Sequence, residues 1–201
     1  MATPKQKERN QRMLKAARKE FFHKGYSEVN LDFIASTARV SKATLYNHFQ
    51  NKENLFMAVF EYAMAQLDEK IHLEMNLLSP RRKLLAGAKA FLKNARENPE
   101  YTFFFKALTT DAGFVSEGLR RRMMDRFLAS GMNMGRQELR LSQERGEIKT
   151  LFDPDLLFSA LLGMHLHVLS YLDRNKCRVS LDRCAEQIAE ILQSGIFKGG
   201  K

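Results

Sequence analysis

The stretch from Gly25 to Phe56, GYSEVNLDFIASTARVSKATLYNHFQNKENLF, constrains the fold of this chain more than any other. Leu31, Ile34, Ala35 and Ala38 recur at i, i+3, i+4 and i+7, which lays one apolar stripe along a short helix with Asn30 at its N-cap. After the turn Arg39-Val40, Ser41 stands as a second N-cap, and Leu45 and Phe49 form an i, i+4 pair facing the same small core as Val40. Asn51 caps a third helix, with Lys52 first in it and Glu53 in its opening turn.

At 100° per residue, an anchored Leu45 and Phe49 turn Lys42, Ala43, Thr44 and Asn47 outward, with Tyr46 and His48 flanking the seam. Two short helices joined by a tight turn make a helix-turn-helix, whose second helix is narrow enough to enter a DNA major groove. Each polar group on that face can meet a base edge or a phosphate, and Ala43 permits close approach or contact with a thymine methyl. The helix carries no carboxylate on that face, and its neighbour offers a helix N-terminus beside Lys52, a ready phosphate site. The same pattern also suits a plain helical corner with a solvated polar side.

The residues Phe21-Phe22, Gly25-Tyr26, Ile34-Ala35, Val40-Ser41, Thr44-Leu45-Tyr46, His48-Phe49, Lys52-Glu53 and Leu55 resemble the N-terminal DNA-binding signature of the tetracycline-repressor (TetR/AcrR) family of transcriptional regulators. The resemblance covers about the first 60 residues. It implies an all-α homodimer that binds a near-palindromic operator and is released by a small ligand held in the C-terminal domain. Carried over by position, it gives Lys42, Ala43, Thr44 and Asn47 to bases or the groove, and Tyr46, His48 and Lys52 to phosphates. Arg39 departs from the glycine usual at that turn, so a left-handed backbone there would cost on the order of 1 kcal/mol relative to Gly.

Charge supports a polyanionic partner. Of the net +10, residues 1–60 carry +6, from 11 Lys/Arg against 5 Asp/Glu. A membrane surface would attract the same charge. The polar, basic start from Met1 to Leu14 has no secretory core segment, which predicts a cytoplasmic protein. Cys177 and Cys184 lack the spacing of a zinc site or disulfide framework and read as reduced, partly buried thiols.

Along the chain, a first helix is predicted from about Lys5 to Lys24, stopped by Gly25, with Leu14, Ala17 and Phe21 inward. From Asn51 the helical pattern continues unbroken to near Leu78, which makes a stiff connector ended by Ser79-Pro80. A helix over 81–98 follows. Three consecutive phenylalanines, Phe103 to Phe105, cannot all point one way, so at least one is expected to face a cavity or a partner. Val115 to about Arg145 reads as one long helical segment after a break at Gly113, and Gly146 ends it. Asp153-Pro154 opens a helix that is apolar nearly all round, which in a soluble chain implies burial on both sides. His165 and His167 sit about 200° apart on it and cannot chelate one ion, so neither a metal nor a cofactor is expected.

The expectation is therefore an all-α chain with a three-helix DNA-binding domain over residues 1–52 and a helical ligand-binding and dimerisation domain over 53–201. Its last two helices, about 153–174 and 181–197, pair two copies into a four-helix seam, as the resemblance also implies. Phe60, Met64, Phe91, Phe104, Met124, Phe127, Met164 and His165 are candidate walls for a small apolar or aromatic effector. No nucleophile elbow, phosphate loop or paired-carboxylate arrangement points to an enzyme, and a membrane span fails on length and on the interrupting histidines. The basic N-terminal residues Lys5, Lys7, Arg9 and Arg12 form either a solvated arm or a reach to backbone or minor groove, and the tail from Lys198 to Lys201 is expected to lack order.

Overall fold

The computed structural model describes residues 3–75, 78, 80–109, 115–130, 133–174 and 180–196, and every regular element among them is a helix. In order these are α1 (Pro4–Glu28), α2 (Leu31–Thr37), α3 (Lys42–Phe49), α4 (Lys52–Met75), α5 (Pro80–Glu97), α6 (Pro99–Thr109), α7 (Glu117–Ser130), α8 (Asn133–Glu144), α9 (Pro154–Arg174) and α10 (Leu181–Ile196). The expectations placed on Cys177, Gly113 and the C-terminal tail fall outside the described residues. The chain forms two compact units, one from residues 1–64 and 103–131, the other from 65–102 and 132–201. Helix α4 is continuous across the change of unit.

In the first unit, Thr3 caps α1 in a reciprocal capping box with Gln6, and Pro4 occupies the first turn, where its missing N–H costs nothing. Gly25, at φ 75°, breaks the helix where the sequence expects it to stop, and one further turn carries the chain to Glu28. Met13, Leu14, Ala17 and Phe21 are buried against the helices that follow. Phe21 meets Phe56 edge-on at 4.8 Å, and Phe56 passes the contact to Phe104, which in turn lies 6.1 Å from Phe60. The three phenylalanines of α6 are all accommodated in this cluster. Phe104 and Phe105 are buried, and Phe103 is half-buried against Phe22 and Phe56. Ring edges packed on ring faces absorb side chains that diverge by 100° per residue.

In the second unit α5 packs against both α9 and α10, and α8 packs on α9. The helix starts are those the sequence marks. Asp153 accepts from the amides of Asp155 and Leu156 with Pro154 in the first turn, and Ser180 accepts from Arg183 at 3.2 Å. The single helix expected over 115–145 is instead two, α7 in the first unit and α8 in the second. The physical reason for a separate α8 is its close seat on α9. A Cβ on Gly135 would stand 2.8 Å from the Phe158 ring, so glycine at this point leaves room for that ring against α8. Gly146, at φ 73°, ends α8 as expected, with the Glu147 amide donating back to Ser142.

Helix α9 buries Leu157, Phe158, Leu161, His165 and Leu169 and exposes Leu156, Ala160, His167 and Tyr171 along the opposite side. Half of the expected double burial is thus met within one chain. No described helix is long and apolar enough to cross a membrane, and the described residues hold no cluster of three or more potential metal ligands.

Candidate nucleic-acid interface

The projecting element is α3. Ser41, extended at φ −72° and ψ 154°, accepts the Thr44 amide on its Oγ, and the Oγ and Thr44 Oγ1 lie 2.8 Å apart. Leu45 and Phe49 are buried and fix the helix by one side. Ala43, Tyr46, Asn47 and His48 are then exposed with Lys42, and Thr44 is half-buried. This is the face the spacing predicts.

Both ends of α3 are set by non-glycine residues in the left-handed region, Arg39 at φ 56° before it and Gln50 at φ 67° after it. Arg39 closes α2. Its amide donates to Ser36 and that of Val40 to Ala35, both at 3.0 Å, and the Arg12 Nε reaches the Ala38 carbonyl. Those two backbone bonds are the Schellman pattern, which requires a left-handed residue at this place. Arg12, one of the basic residues of the expected N-terminal arm, thus meets the end of α2 through its Nε and Glu8 through its Nη1.

Lys42 lies 2.8 Å from Asp32, which α2 brings alongside, and that carboxylate holds the ammonium pKa above its ordinary value through the hydrogen bond. The α3 face is free of carboxylates, as the sequence indicates, but the interface as a whole is not, because the turn places a residue ten positions back beside Lys42. Lys52 has internal partners as well. Its Nζ donates to the Ser27 carbonyl at 2.9 Å and stands 4.8 Å from the centre of the Tyr26 ring. An ammonium has three donors, so these contacts tie α4 to the end of α1 and leave further donors for an anion. Asn51 caps α4, its Oδ1 accepting from the Asn54 amide. Burial first, and then Glu53, raise the Tyr26 hydroxyl pKa.

One set of partners has no signal in the local sequence pattern. Arg122 of α7 bonds Glu53 at 3.2 Å and Asn54 at 3.1 Å, and Arg126 pairs with Glu61 at 2.8 Å. The start of α4 is thus clasped by a helix nearly seventy residues away. Only the i, i+4 spacing of the two arginines could have suggested it.

A capped pair of helices joined by the four residues Ala38 to Ser41, with a polar outer face, is a helix-turn-helix in geometry as in spacing. The model of the bacterial regulatory proteins, tetR family, matches residues 13–59, from the buried Met13 of α1 to Val59 of α4. Over 96% of both chains the sequence is 26% identical to YhgD of Bacillus subtilis, an uncharacterized HTH-type transcriptional regulator. The chain belongs to the TetR family. It is a DNA-binding transcriptional regulator and not an enzyme. The whole fold is that of TetR-family structures. FadR of Bacillus subtilis, solved with stearoyl-CoA, aligns with a TM-score of 0.73 at 20% identity over 92% of this chain and 98% of that one. AibR, solved with isovaleryl coenzyme A and operator DNA, aligns at 0.61 and 20% over 91% and 97%.

The candidate effector residues of this TetR-family chain fall into two groups, one in each unit. Phe60, Met64, Phe104 and Phe127 are buried in the first unit, where Phe60 meets both Phe104 and Phe127, and Met124 is half-buried there. Phe91, Met164 and His165 belong to the second, with the Phe91 and His165 rings edge-on at 5.3 Å. His165 is buried and His167 exposed, on different sides of α9, as their spacing requires.

Proposed function

We propose that this TetR-family regulator is a ligand-responsive repressor that binds a near-palindromic operator as a homodimer. Residues 1–52 read DNA, and residues 53–201 hold the effector and the partner copy. The observation that carries this reading is the outer side of α3, where Lys42, Ala43, Tyr46, Asn47 and His48 stand exposed over the buried Leu45 and Phe49. Lys42, Ala43, Thr44 and Asn47 face bases or the groove, and Tyr46, His48 and Lys52 meet phosphates. Two such helices in successive major grooves are separated by roughly 34 to 36 Å.

The exposed strip of α9 supports pairing with a second copy. Leu156 and Tyr171 expose 71% and 57% of their surface there, and a Cβ on Gly163 would meet nothing, so another helix can come close. Together with α10, whose Ile191 is also exposed, it forms the four-helix seam. An effector that binds best to a state with α4 tilted widens the separation of the recognition helices and lowers operator affinity. The cytoplasm is where such a protein acts. Effectors with an apolar body suit the Phe and Met candidates, and the acyl thioesters recorded with FadR and AibR are the first to try.

Gel-shift titration on the DNA flanking the protein's own gene tests this. The expected result is a specific complex in the nanomolar range that resists random duplex and is released by an effector. Equal competition by random duplex at physiological salt would falsify the operator reading.

A further inference from the structure

The side chain of His165 is buried in the second unit with a ring nitrogen that the packing leaves unsatisfied. The residue is 9% exposed, on the stripe of α9 that also buries Leu161 one turn before it and Leu169 one turn after. Its Nδ1 lies 2.6 Å from the Leu161 carbonyl oxygen, and the Phe91 ring meets the imidazole edge-on. A carbonyl oxygen can only accept, so Nδ1 carries the hydrogen and Nε2 presents a bare lone pair. Nε2 is buried and has no hydrogen-bond partner among the described residues. Buried polar atoms are almost always satisfied, and an unsatisfied acceptor on a ring packed against Phe91 is a place where a donor is missing.

We propose that Nε2 of His165 is the polar anchor of the effector site, and that the effector has an apolar body and an uncharged hydroxyl or amide N–H that donates to it. This rests on the ligand-responsive reading above and narrows the chemistry of its ligand. Burial holds the His165 pKa below its ordinary value, although the Leu161 hydrogen bond opposes that shift, so the ring stays neutral. A neutral ring offers nothing to a carboxylate, whose oxygens only accept. A thioester carbonyl fails for the same reason, so in an acyl thioester the donor is an amide N–H further along the molecule. An alkane leaves Nε2 unsatisfied.

Full-length protein labelled with 15N at histidine tests this in the absence of DNA. Long-range 1H–15N correlation spectra report the tautomer and any new bond at Nε2, and calorimetry reports affinity for octanol and propylphenol against octane, propylbenzene and octanoate. The expected result is an Nδ1–H tautomer, an Nε2 resonance displaced by both hydroxyl probes, and binding of each about 10 to 100-fold tighter than its hydrocarbon. His165→Phe is expected to erase that preference, and His165→Gln, which keeps an acceptor, to restore part of it. A protonated Nε2, an unmoved resonance, or equal or tighter binding of the hydrocarbon or of octanoate overturns the proposal. Binding through Nε2 with no change in operator affinity instead leaves the site intact and overturns the ligand-responsive function.

Discussion

Arg39 shows how a single backbone angle can be legible as a question before it is visible as a fact. The sequence marks the turn and the absence of its usual glycine, and the structure answers with φ 56°. Left-handed backbone crowds a Cβ, so Arg39→Gly should raise the urea midpoint by the equivalent of at most about 1 kcal/mol, offset in part by the greater freedom of glycine in the unfolded chain. A lower midpoint would mean that the arginine side chain earns its place by a contact of its own. Asn47 and Lys52 divide the interface differently. Asn47 is exposed, so Asn47→Ala should change which operator variants bind best while leaving unfolding untouched. Lys52 also holds Ser27 and Tyr26, so Lys52→Ala should weaken all duplexes alike, flatten the salt dependence by about one charge, and lower stability by about 1 kcal/mol. Affinity ratios over an operator library, read beside a denaturation curve, separate the two; identical profiles would refute the division of roles. Asp32 could not be assigned to this surface beforehand, since its place beside Lys42 depends on the angle between α2 and α3 and on no local spacing.

At the level of helices, caps and stripes were the readable signals. Asn30, Ser41, Asn51 and Asp153 each accept the amides that a capping residue should, because an N-cap is a contract between residues two or three apart and owes little to the rest of the fold. The division of 115–145 into α7 and α8 was not readable, because helical periodicity records that a face is apolar and not which body it packs on. Leu119, Met123 and Phe127 bury their stripe in the first unit, whereas Leu139 and Ser142 bury theirs in the second. An ion network then secures α8. Glu138 receives Lys83 of α5 at 2.9 Å and Arg145 at 3.0 Å, and although burial opposes it, these bonds hold its carboxyl below the ordinary range. A carboxyl with a lowered folded-state pKa binds fewer protons folded than unfolded. Its contribution is present in full above the unfolded value of about 4.3 and is lost as pH falls through the depressed one. Glu138→Gln should therefore destabilise the protein near neutrality and flatten that acid limb in thermal melts taken at successive pH values. Parallel curves for the two proteins would remove Glu138 from the account.

For the whole molecule, what one chain leaves uncovered is as informative as what it buries. The apolar run of α9 predicted burial on two sides, and a single chain supplies one; Leu156, Ala160, His167 and Tyr171 remain on the other. On the proposed reading, in which two recognition helices address one duplex, such a strip points to pairing through α9 and α10. Ala160→Arg tests this cleanly, since the residue is exposed in the single chain and a long charged side chain there disturbs no contact within it. The variant should keep the helicity and melting behaviour of a folded chain. Two guanidinium groups brought together at a two-fold seam lose their water and repel, so light scattering on the eluted protein should report a monomer. Operator affinity should then fall by about 100-fold or more, because each half-site is bound without the high effective concentration that linkage to the other copy provides. Weak nonspecific binding should persist, as the basic excess of residues 1–60 is untouched. A variant that stays dimeric and keeps its operator affinity would move the seam away from α9 and with it the assignment of the last two helices.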